Sequence, residues 1–333
     1  MVEIQTQVPL APFTTIRVGG PATEFVIARS EDEIIAALDF VGPILLLGGG
    51  SNLLIADHGF AGRVIKIETS GIRQTADSVE VAAGENWDDF VSWGVTNGYG
   101  ELAPLTGIPG TVGATPIQNV GAYGTEVSEL ISSVKVYDRE QREVKQLSND
   151  ECKFSYRNSI FKEFPNRFVV LTVQFKLAKT NQIPVKYDEL ANKLEVSVGD
   201  SADQAKIMQA VRQLRASKGM LLDATDRDTY SVGSFFLNPR VTATEFAQLP
   251  TDTPAWQQPD GSWKVSAAWL ISQSGFDRGY AIGDAAISSK HTLALCNLGT
   301  ASATQLLALA DEIKDRVQQK FKIELQFEPR MIS

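Results

Sequence analysis

The order of hydrophobic and polar positions predicts alternating strands and helices in the first half of the chain. Ser30 and Glu33 form a capping box that predicts a helix reaching about Phe40, and a second helix is predicted from Asn86 to near Gly98. Short apolar runs predict strands at 24–30, 44–47, 64–67, 79–82 and 168–175.

The second half carries two further helix signals. Ser201 and Gln204 form a capping box that predicts a helix to about Lys218, and Ser302 with Gln305 predicts the start of the last helix. The last helix has an apolar stripe at helical spacing, which indicates core packing, formed by Leu306, Leu309, Ile313 and Val317. A final strand is predicted at 323–327 and is expected to return to the N-terminal part of the chain.

Glycine is concentrated in the first third of the chain, and the drop in glycine content helps to predict the domain boundaries. Of the 26 glycines, 18 lie before residue 125, where an even spread would place about 10. The polar stretch 222–229 is expected to be a loop or linker. We predict three units: a first lobe of residues 1–68 with about 318–333, a second lobe of residues 69–200, and a C-terminal domain of residues 201–317.

Composition and charge exclude several classes of protein. With 43% hydrophobic and 21% charged residues the chain is typical of a globular protein, and its net charge of -9 disfavours nucleic-acid binding. No apolar run approaches the roughly 18 residues that span a bilayer, and no signal peptide is visible. Cys152 and Cys296 fit a reducing, cytoplasmic compartment. Neither cysteine has a metal-ligand pattern, so no metal site is expected.

Two glycine-rich segments are candidates for phosphate binding. GGGSN at 48–52 follows an apolar strand, and GIPGTVGATPIQNVGAYG occupies 107–124. Small residues let the backbone turn tightly and present its N–H groups to phosphate oxygens without positive side chains. Either segment alone could be an ordinary turn, and neither has the spacing of a Rossmann or P-loop motif. Together they favour a bound pyrophosphate.

The complete set of motifs resembles the UDP-N-acetylenolpyruvoylglucosamine reductase family, from about residue 10 to the C-terminus. Besides the two glycine segments, the chain carries four further motifs of that family, all in the family's order. They are TTIRVGGPA at 14–22, YRNSIFK at 156–162, GSFFLNP at 233–239 and QFEPR at 326–330. The resemblance implies an α+β fold: a two-lobed FAD-binding domain of the vanillyl-alcohol-oxidase type, followed by a C-terminal α+β substrate-binding domain.

The resemblance implies noncovalent FAD, held largely by backbone. The expected cofactor-binding residues lie in the two glycine segments and are Gly48, Gly49, Gly50, Ser51, Asn52, Gly110, Thr111, Gly113, Ala114, Gln118, Asn119 and Gly121. The last three of these are expected near the flavin ring. His58 is not expected to carry a covalent flavin, because the family binds FAD noncovalently.

The family uses NADPH to reduce FAD, and then reduces the enolpyruvyl ether of UDP-N-acetylglucosamine to the lactyl ether of UDP-N-acetylmuramate. Hydride addition to the C=C bond leaves negative charge on the adjoining carboxylate, which a guanidinium can stabilise. By resemblance Arg157 is that clamp, Ser234 protonates the neighbouring carbon, and Glu328 assists the intermediate. Taken alone, Ser234 would be a turn serine, Glu328 a surface acid and Arg157 a surface ion pair.

Substrate contacts implied by the resemblance belong to the long-form, type I enzymes. Tyr187 and Lys218 match positions that contact the pyrophosphate, with Asn238 and Arg330 as further candidates. Lys218 could equally be a favourable charge at a helix C-terminus. Arg215 is another candidate, and His291 has either a ligand-binding or a structural role.

Two positions depart from the sequence pattern of the family. Leu237 stands where many relatives carry a basic residue, and Gln326 replaces a frequent acid.

An FAD-linked oxidase of the same fold acting on a sugar or alcohol is the main alternative function, and a noncatalytic nucleotide-sugar binding protein is another. The motifs favour a monomeric reductase whose partners are NADPH and the nucleotide sugar, with no nucleic acid and no membrane.

Overall fold

The computed structural model describes residues 2–75 and 77–333, which form two compact units. The first unit comprises the chain up to Val8, Ala22–Gly49 and Ala61–Ala216. The second comprises Pro9–Pro21, Gly50–Phe60 and Ser217–Ser333. The predicted division into two lobes and a C-terminal domain stays a prediction.

The described residues form helices that range from one turn to five. In chain order they are α1 Glu31–Ala37, α2 Trp87–Thr96, α3 Ile160–Glu163, α4 Asp188–Leu194, α5 Gln204–Ser217, α6 Ala243–Phe246, α7 Ala267–Gln273 and α8 Ala303–Phe321. Within residues 2–75 and 77–333, no helix combines the length and the apolar character required to cross a membrane.

The described strands are short, and the four longest have eight residues each. In chain order they are β1 Gln5–Pro9, β2 Pro21–Ala28, β3 Ile44–Leu47, β4 Leu53–Ile55, β5 Phe60–Ile67, β6 Ile72–Gln74, β7 Val79–Ala82, β8 Gly121–Ala122, β9 Thr125–Glu126, β10 Ile131–Asp138, β11 Glu143–Ser148, β12 Phe168–Phe175, β13 Gln182–Pro184, β14 Ser201–Asp203, β15 Ser231–Ser234, β16 Arg240–Val241, β17 Ala255–Gln257, β18 Trp263–Val265, β19 Ala281–Ile282, β20 Ala285–Ile287, β21 Ala294–Asn297 and β22 Arg330–Ile332.

Three of the four predicted helix starts are confirmed by their capping bonds. The Ser30 side chain accepts from the Glu33 N–H at 3.1 Å, and Asn86 accepts from the Asp89 N–H at 3.1 Å. The capping box of Ser302 and Gln305 is complete. These bonds satisfy N–H groups that have no partner inside the helix.

The capping box predicted at Ser201 is wrong. Ser201 lies in β14, and α5 begins three residues later at Gln204. Asp203 takes the capping role instead, because its Oδ1 accepts from the N–H groups of Ala205 at 2.9 Å and Lys206 at 3.3 Å. The stretch 201–204 had the right spacing of a serine and a glutamine, but the nearer carboxylate makes the contact.

The two larger sheets of the first unit pack around one hydrophobic core. The sheet order β1-β2-β5-β3 includes a parallel β3–β5 pair, and the antiparallel order β11-β10-β12-β7-β6 places β12 at its centre. Seven of the eight residues of β12 are buried, as the predicted apolar run requires. Trp87, Phe90 and Phe175 pack with ring centroids 4.9–6.2 Å apart and anchor α2 on this sheet.

The second unit has its own core, built on α8 and the sheet β15-β21-β20-β19. The predicted stripe of α8 is fully buried, which confirms its core role. Asp57 holds the start of this helix, since its carboxylate accepts from the N–H groups of Ala303 at 2.7 Å and Thr304 at 3.0 Å. A carboxylate at a helix N-terminus is stabilised by the helix dipole.

The final strand was predicted at the wrong place. Residues Ile323 and Leu325 are buried, and this alternation imitates a strand, but the segment forms only an isolated bridge between Phe327 and Phe236. The strand is β22, which pairs in parallel with β4, with Met331 opposite Leu54. A strand needs a neighbouring strand to pair its backbone groups, and β4 is within reach only from Arg330 onwards.

Candidate functional site

The two glycine segments meet closely within the first unit. A Cβ on Gly49 would lie 2.5 Å from Gly110 Cα, and a Cβ on Gly48 would lie 2.5 Å from Thr111 Oγ1. Gly49 therefore packs directly on the backbone of the second predicted phosphate-binding loop, and Gly48 packs on the Thr111 side chain of the same loop. This is the arrangement expected of a cradle that binds an anion with N–H groups.

The rest of GGGSN joins two other motifs within the second unit. The Thr15 N–H donates to the Gly50 carbonyl at 3.2 Å, and the Arg330 N–H donates to the Asn52 carbonyl at 2.9 Å. Asn52 Nδ2 also lies 3.5 Å from the Glu328 carbonyl. The TTIRVGG, GGGSN and FEPR segments, which are far apart in sequence, are therefore neighbours in the fold.

Gly50→Ala should remove bound flavin, and a matched glycine provides the control. Gly50 and Gly283 share φ 62°, but a Cβ on Gly50 would lie 2.0 Å from the Phe13 carbonyl oxygen, whereas one on Gly283 meets nothing within 4 Å. The backbone strain is thus the same in both variants. Only Gly50→Ala also pushes the GGGSN loop away from Phe13, which should lower the free energy of unfolding by about 1–3 kcal/mol more than Gly283→Ala does. Flavin absorbance and thermal unfolding of the purified variants measure the difference. Equal flavin content in both variants would contradict the role of Gly50.

The central motif is held against the start of α2. The Trp87 N–H donates to the Gly110 carbonyl at 3.1 Å, and the Gly113 N–H donates to the Ala83 carbonyl at 2.8 Å. A Cβ on Gly113 would lie 2.5 Å from Ala83 Cβ, so this glycine allows close packing. Ala114 is exposed and Gln118 is half-buried. Direct contacts of these residues with a cofactor stay a prediction.

Asn119 supports the loop in this structure. It is 1% exposed, and its Nδ2 donates to Glu126 Oε2 at 2.7 Å and to the Ser155 carbonyl at 3.2 Å. Its Oδ1 accepts from the Ser128 N–H at 3.1 Å. The side chain therefore ties the motif to its own hairpin, and its predicted contact with flavin has no support from these bonds.

Arg157 lies beside the segment predicted to approach the flavin ring. Its Nη2 donates to the Gly121 carbonyl at 3.0 Å, and its Nη1 lies 3.4 Å from the Asn119 carbonyl. Arg157 has φ 53°, which is uncommon for a residue with a side chain and is often found at functional sites. The Lys162 ammonium donates to the Arg157 carbonyl at 2.9 Å and supports this conformation.

Ser234 and Glu328 are brought together in the second unit by neighbouring backbone segments. Ser234 ends β15, opposite Ala294 of β21. The Glu328 N–H donates to the carbonyl of Phe235, the residue after Ser234, at 3.0 Å. Both Ser234 and Glu328 are half-buried. Asn238, on the same loop, caps α7, since its Oδ1 accepts from the Ala267 N–H at 2.9 Å.

Two tyrosines pack edge to face in the first unit. The rings of Tyr123 and Tyr187 have centroids 5.8 Å apart at an interplanar angle of 88°. Burial raises the pKa of Tyr123 to about 12, so it is a neutral phenol at physiological pH. Tyr123 is not among the predicted site residues, although it stands within the VGAYG end of the central motif.

Lys218 lines a cavity of about 490 Å³ in the second unit, together with Arg278, Lys290 and His291. Lys290 forms an ion pair with Asp226. His291 Nδ1 accepts from the Leu293 N–H at 3.1 Å, so the neutral ring carries its proton on Nε2. Lys218 and Arg278 suit an anionic ligand, although Asp277 also lines this cavity. Lys218 directly follows the end of α5.

Comparisons with known proteins agree with these motifs. Residues 22–146 match the FAD binding domain family, and residues 225–332 match the C-terminal domain of UDP-N-acetylenolpyruvoylglucosamine reductase. A UDP-N-acetylenolpyruvoylglucosamine reductase from Streptomyces avermitilis is 49% identical, over 96% of this chain and 93% of its own length. One from Thermobifida fusca is 48% identical, over 98% and 97% respectively.

A solved structure extends the similarity to the fold. The crystal structure of UDP-N-acetylenolpyruvylglucosamine reductase from Thermus caldophilus has a TM-score of 0.70 and 26% identity, and covers 100% of this chain and 99% of its own. Together with the domain matches, this confirms the predicted fold class, an FAD-binding α+β architecture with a C-terminal α+β domain.

Proposed function

The chain belongs to the UDP-N-acetylenolpyruvoylglucosamine reductase family, and we propose that it performs this reduction with Arg157, Ser234 and Glu328 as its reacting groups. It is an FAD-dependent oxidoreductase of peptidoglycan precursor synthesis, with NADPH as donor and UDP-N-acetylglucosamine enolpyruvate as acceptor. The observation that carries this function is the 49% identity spread over 96% of the chain. The same observation disfavours the alternative of an oxidase.

FAD fits the residues that the chain presents. The close approach of Gly49 to the Gly110 backbone, and of Gly48 to the Thr111 hydroxyl, brings the two glycine loops together, as a pyrophosphate cradle built from both loops requires. We assign these residues, with Gly50–Asn52, to holding the diphosphate. When bound, FAD supplies the hydride chemistry that connects NADPH to the enolpyruvyl double bond. Such binding through N–H groups suits a chain with a net charge of -9.

Arg157 is proposed to bind the carboxylate of the enolpyruvyl group. Negative charge on that carboxylate grows as the double bond is reduced, so a guanidinium fork stabilises the transition state more than the ground state. Its hydrogen bonds to the carbonyls of Asn119 and Gly121 hold the fork in place. Arginine also keeps its charge at any physiological pH, which a lysine in a buried site need not do.

Ser234 is proposed to donate the proton that completes the reaction. A hydroxyl is a weak acid, but the carbanionic enolate is a strong base, so transfer from a positioned serine is favourable. The bond from the Glu328 N–H to the Phe235 carbonyl keeps the Glu328 backbone beside the end of β15, where Ser234 lies. Glu328 is proposed to orient the intermediate or share its proton.

Tyr187, Lys218, Asn238 and Arg330 are proposed to bind the nucleotide diphosphate. Lys218 has the strongest support, because its cavity also contains Arg278 and His291, and cations and N–H donors stabilise phosphate oxygens. We further propose a monomeric enzyme that works in the cytoplasm. Both Cys152 and Cys296 are free and buried, as in proteins of a reducing compartment.

The purified protein should be yellow, and it should consume NADPH over many turnovers only when the enolpyruvyl nucleotide sugar is added. NADPH consumption and the appearance of UDP-N-acetylmuramate should match one to one, because each turnover transfers one hydride. Absorbance of the protein and product analysis measure both quantities. A colourless protein that gains no flavin when incubated with FAD would overturn the proposal, and rapid oxygen consumption without the nucleotide sugar would favour an oxidase.

A further inference from the structure

The first residue of the central glycine motif, Gly107, is bound by one side chain from each of two helices of the first unit, and a third side chain pairs with one of these two. Asp88, in the first turn of α2, accepts from the Gly107 N–H at 2.6 Å and from Thr106 Oγ1 at 3.0 Å through one oxygen. Its other oxygen accepts from Arg212 Nη1 of α5 at 2.6 Å. Arg215 Nε, also on α5, donates to the Gly107 carbonyl at 3.0 Å. Both backbone groups of Gly107 are therefore bound by side chains.

The same segment is fixed on either side of Gly107. Trp87 Nε1 donates to the Leu105 carbonyl at 2.9 Å, and the Trp87 N–H donates to the Gly110 carbonyl at 3.1 Å. Gly110 is the residue against which Gly49 packs. Only Ile108 and Pro109 separate the bound glycine from the cradle, so the position of Gly107 sets the position of Gly110.

The charge of Asp88 is maintained in this environment. Burial would raise the pKa of Asp88, but the hydrogen bonds from Arg212, Gly107 and Thr106 bring it below its ordinary value. An ionised carboxylate with several donors makes shorter and stronger bonds than a neutral amide could make. The Asp88–Arg212 pair is also 124 positions apart in sequence and links α2 to α5.

From this geometry we infer that Asp88 and Arg212 are positioning residues for FAD, which hold the Gly107–Gly110 segment in the conformation that receives the diphosphate. Neither residue has to contact the cofactor. A preorganised loop avoids the entropy cost of ordering on binding, so losing the pair weakens FAD affinity through the loop. This inference rests on the proposed function, since it assigns the cradle to FAD.

The test measures FAD release from the full-length holoenzyme on dilution, by the recovery of flavin fluorescence. Asp88→Asn keeps the shape of the side chain but removes its charge, and we expect the Kd for FAD to rise about tenfold or more. Arg212→Gln should give a similar rise, and the double variant should add little to either single one, because both break the same pair. Arg212→Lys should recover part of the affinity.

Glu31→Gln is the matched control. Glu31 also lies in the first turn of a helix, and it pairs at 2.6 Å with a distant cation, Lys135, with similar exposure of the two side chains. We expect its Kd for FAD to stay at the wild-type value. A wild-type Kd in Asp88→Asn, or an equal rise in Glu31→Gln, would overturn the inference.

The outcomes also separate this inference from the proposed function. A wild-type protein that binds no FAD would reject the function, whereas a functional wild type with unaffected Asp88 and Arg212 variants would reject only the positioning role. If Asp88→Asn fails to fold, the Arg212→Gln variant alone is used, because the Arg212 side chain is 40% exposed and the Asp88 carboxylate keeps its hydrogen bonds from Gly107 and Thr106.

Discussion

Replacing Ser234 with alanine should stop reoxidation of the flavin by the nucleotide sugar, while reduction of the flavin by NADPH continues at the wild-type rate. The proton donor acts only after hydride has reached the enolpyruvyl carbon, so its loss affects one half-reaction. A positioned general acid contributes about 10²- to 10⁴-fold, and we expect a decrease of that size. Stopped-flow absorbance of the flavin, with each substrate added separately, measures both rates.

The control for this variant is Ser231→Ala in the same strand. Ser231 is buried and its Oγ accepts from the Gly233 N–H at 3.2 Å, so the substitution tests a general disturbance of β15. We expect Ser231→Ala to lower stability by about 1 kcal/mol and to keep both half-reactions. Wild-type reoxidation in Ser234→Ala would show that another group supplies the proton.

Replacing Arg157 with lysine should slow the same reoxidation by about 10²- to 10³-fold, the usual effect of removing one donor that stabilises an oxyanion. Lysine retains the charge and the Cβ at φ 53°, so the variant isolates the loss of the guanidinium fork. The maximal rate of single-turnover reoxidation should fall more than the apparent affinity for substrate, because the negative charge on the carboxylate grows in the transition state.

Arg139→Lys is the matched control for this second variant. Arg139, like Arg157, donates to a backbone carbonyl, that of Asn166 at 2.9 Å, but it belongs to no motif of the family. We expect both half-reactions of Arg139→Lys at wild-type rates. If Arg157→Lys slowed reduction by NADPH as much as reoxidation, its role would be support of the 119–121 segment and not stabilisation of the substrate.

Local signals made several elements of this fold predictable. The apolar run of β12 and the caps at Ser30, Asn86 and Ser302 were each read within a few residues, because a capping bond joins groups three positions apart. The same kind of signal failed at Ser201, where Asp203 stands closer to the free N–H groups. Short-range spacing predicts which residues could cap a helix, and the backbone conformation determines which of them does.

The candidate site was predictable in part. The motifs predict the glycines and Arg157 as site residues, and the structure joins Arg157 to the backbone of the central motif. Asn119 also belongs to the central motif, but its side chain donates hydrogen bonds to Glu126 and to the Ser155 carbonyl. Nothing in the order of residues distinguishes an asparagine that faces a cofactor from one that ties a hairpin.

The sequence by itself determined where the backbone must approach another chain segment closely, where α1, α2 and α8 begin, and which family the chain resembles, since these depend on residue type and short-range spacing. Only the tertiary structure decided that β22 pairs with β4, and that Asp88 and Arg212 hold Gly107 from two helices. Partners so distant in sequence leave no local pattern. Their contacts exist because the buried cores bring the elements together and leave polar groups that must find a bond.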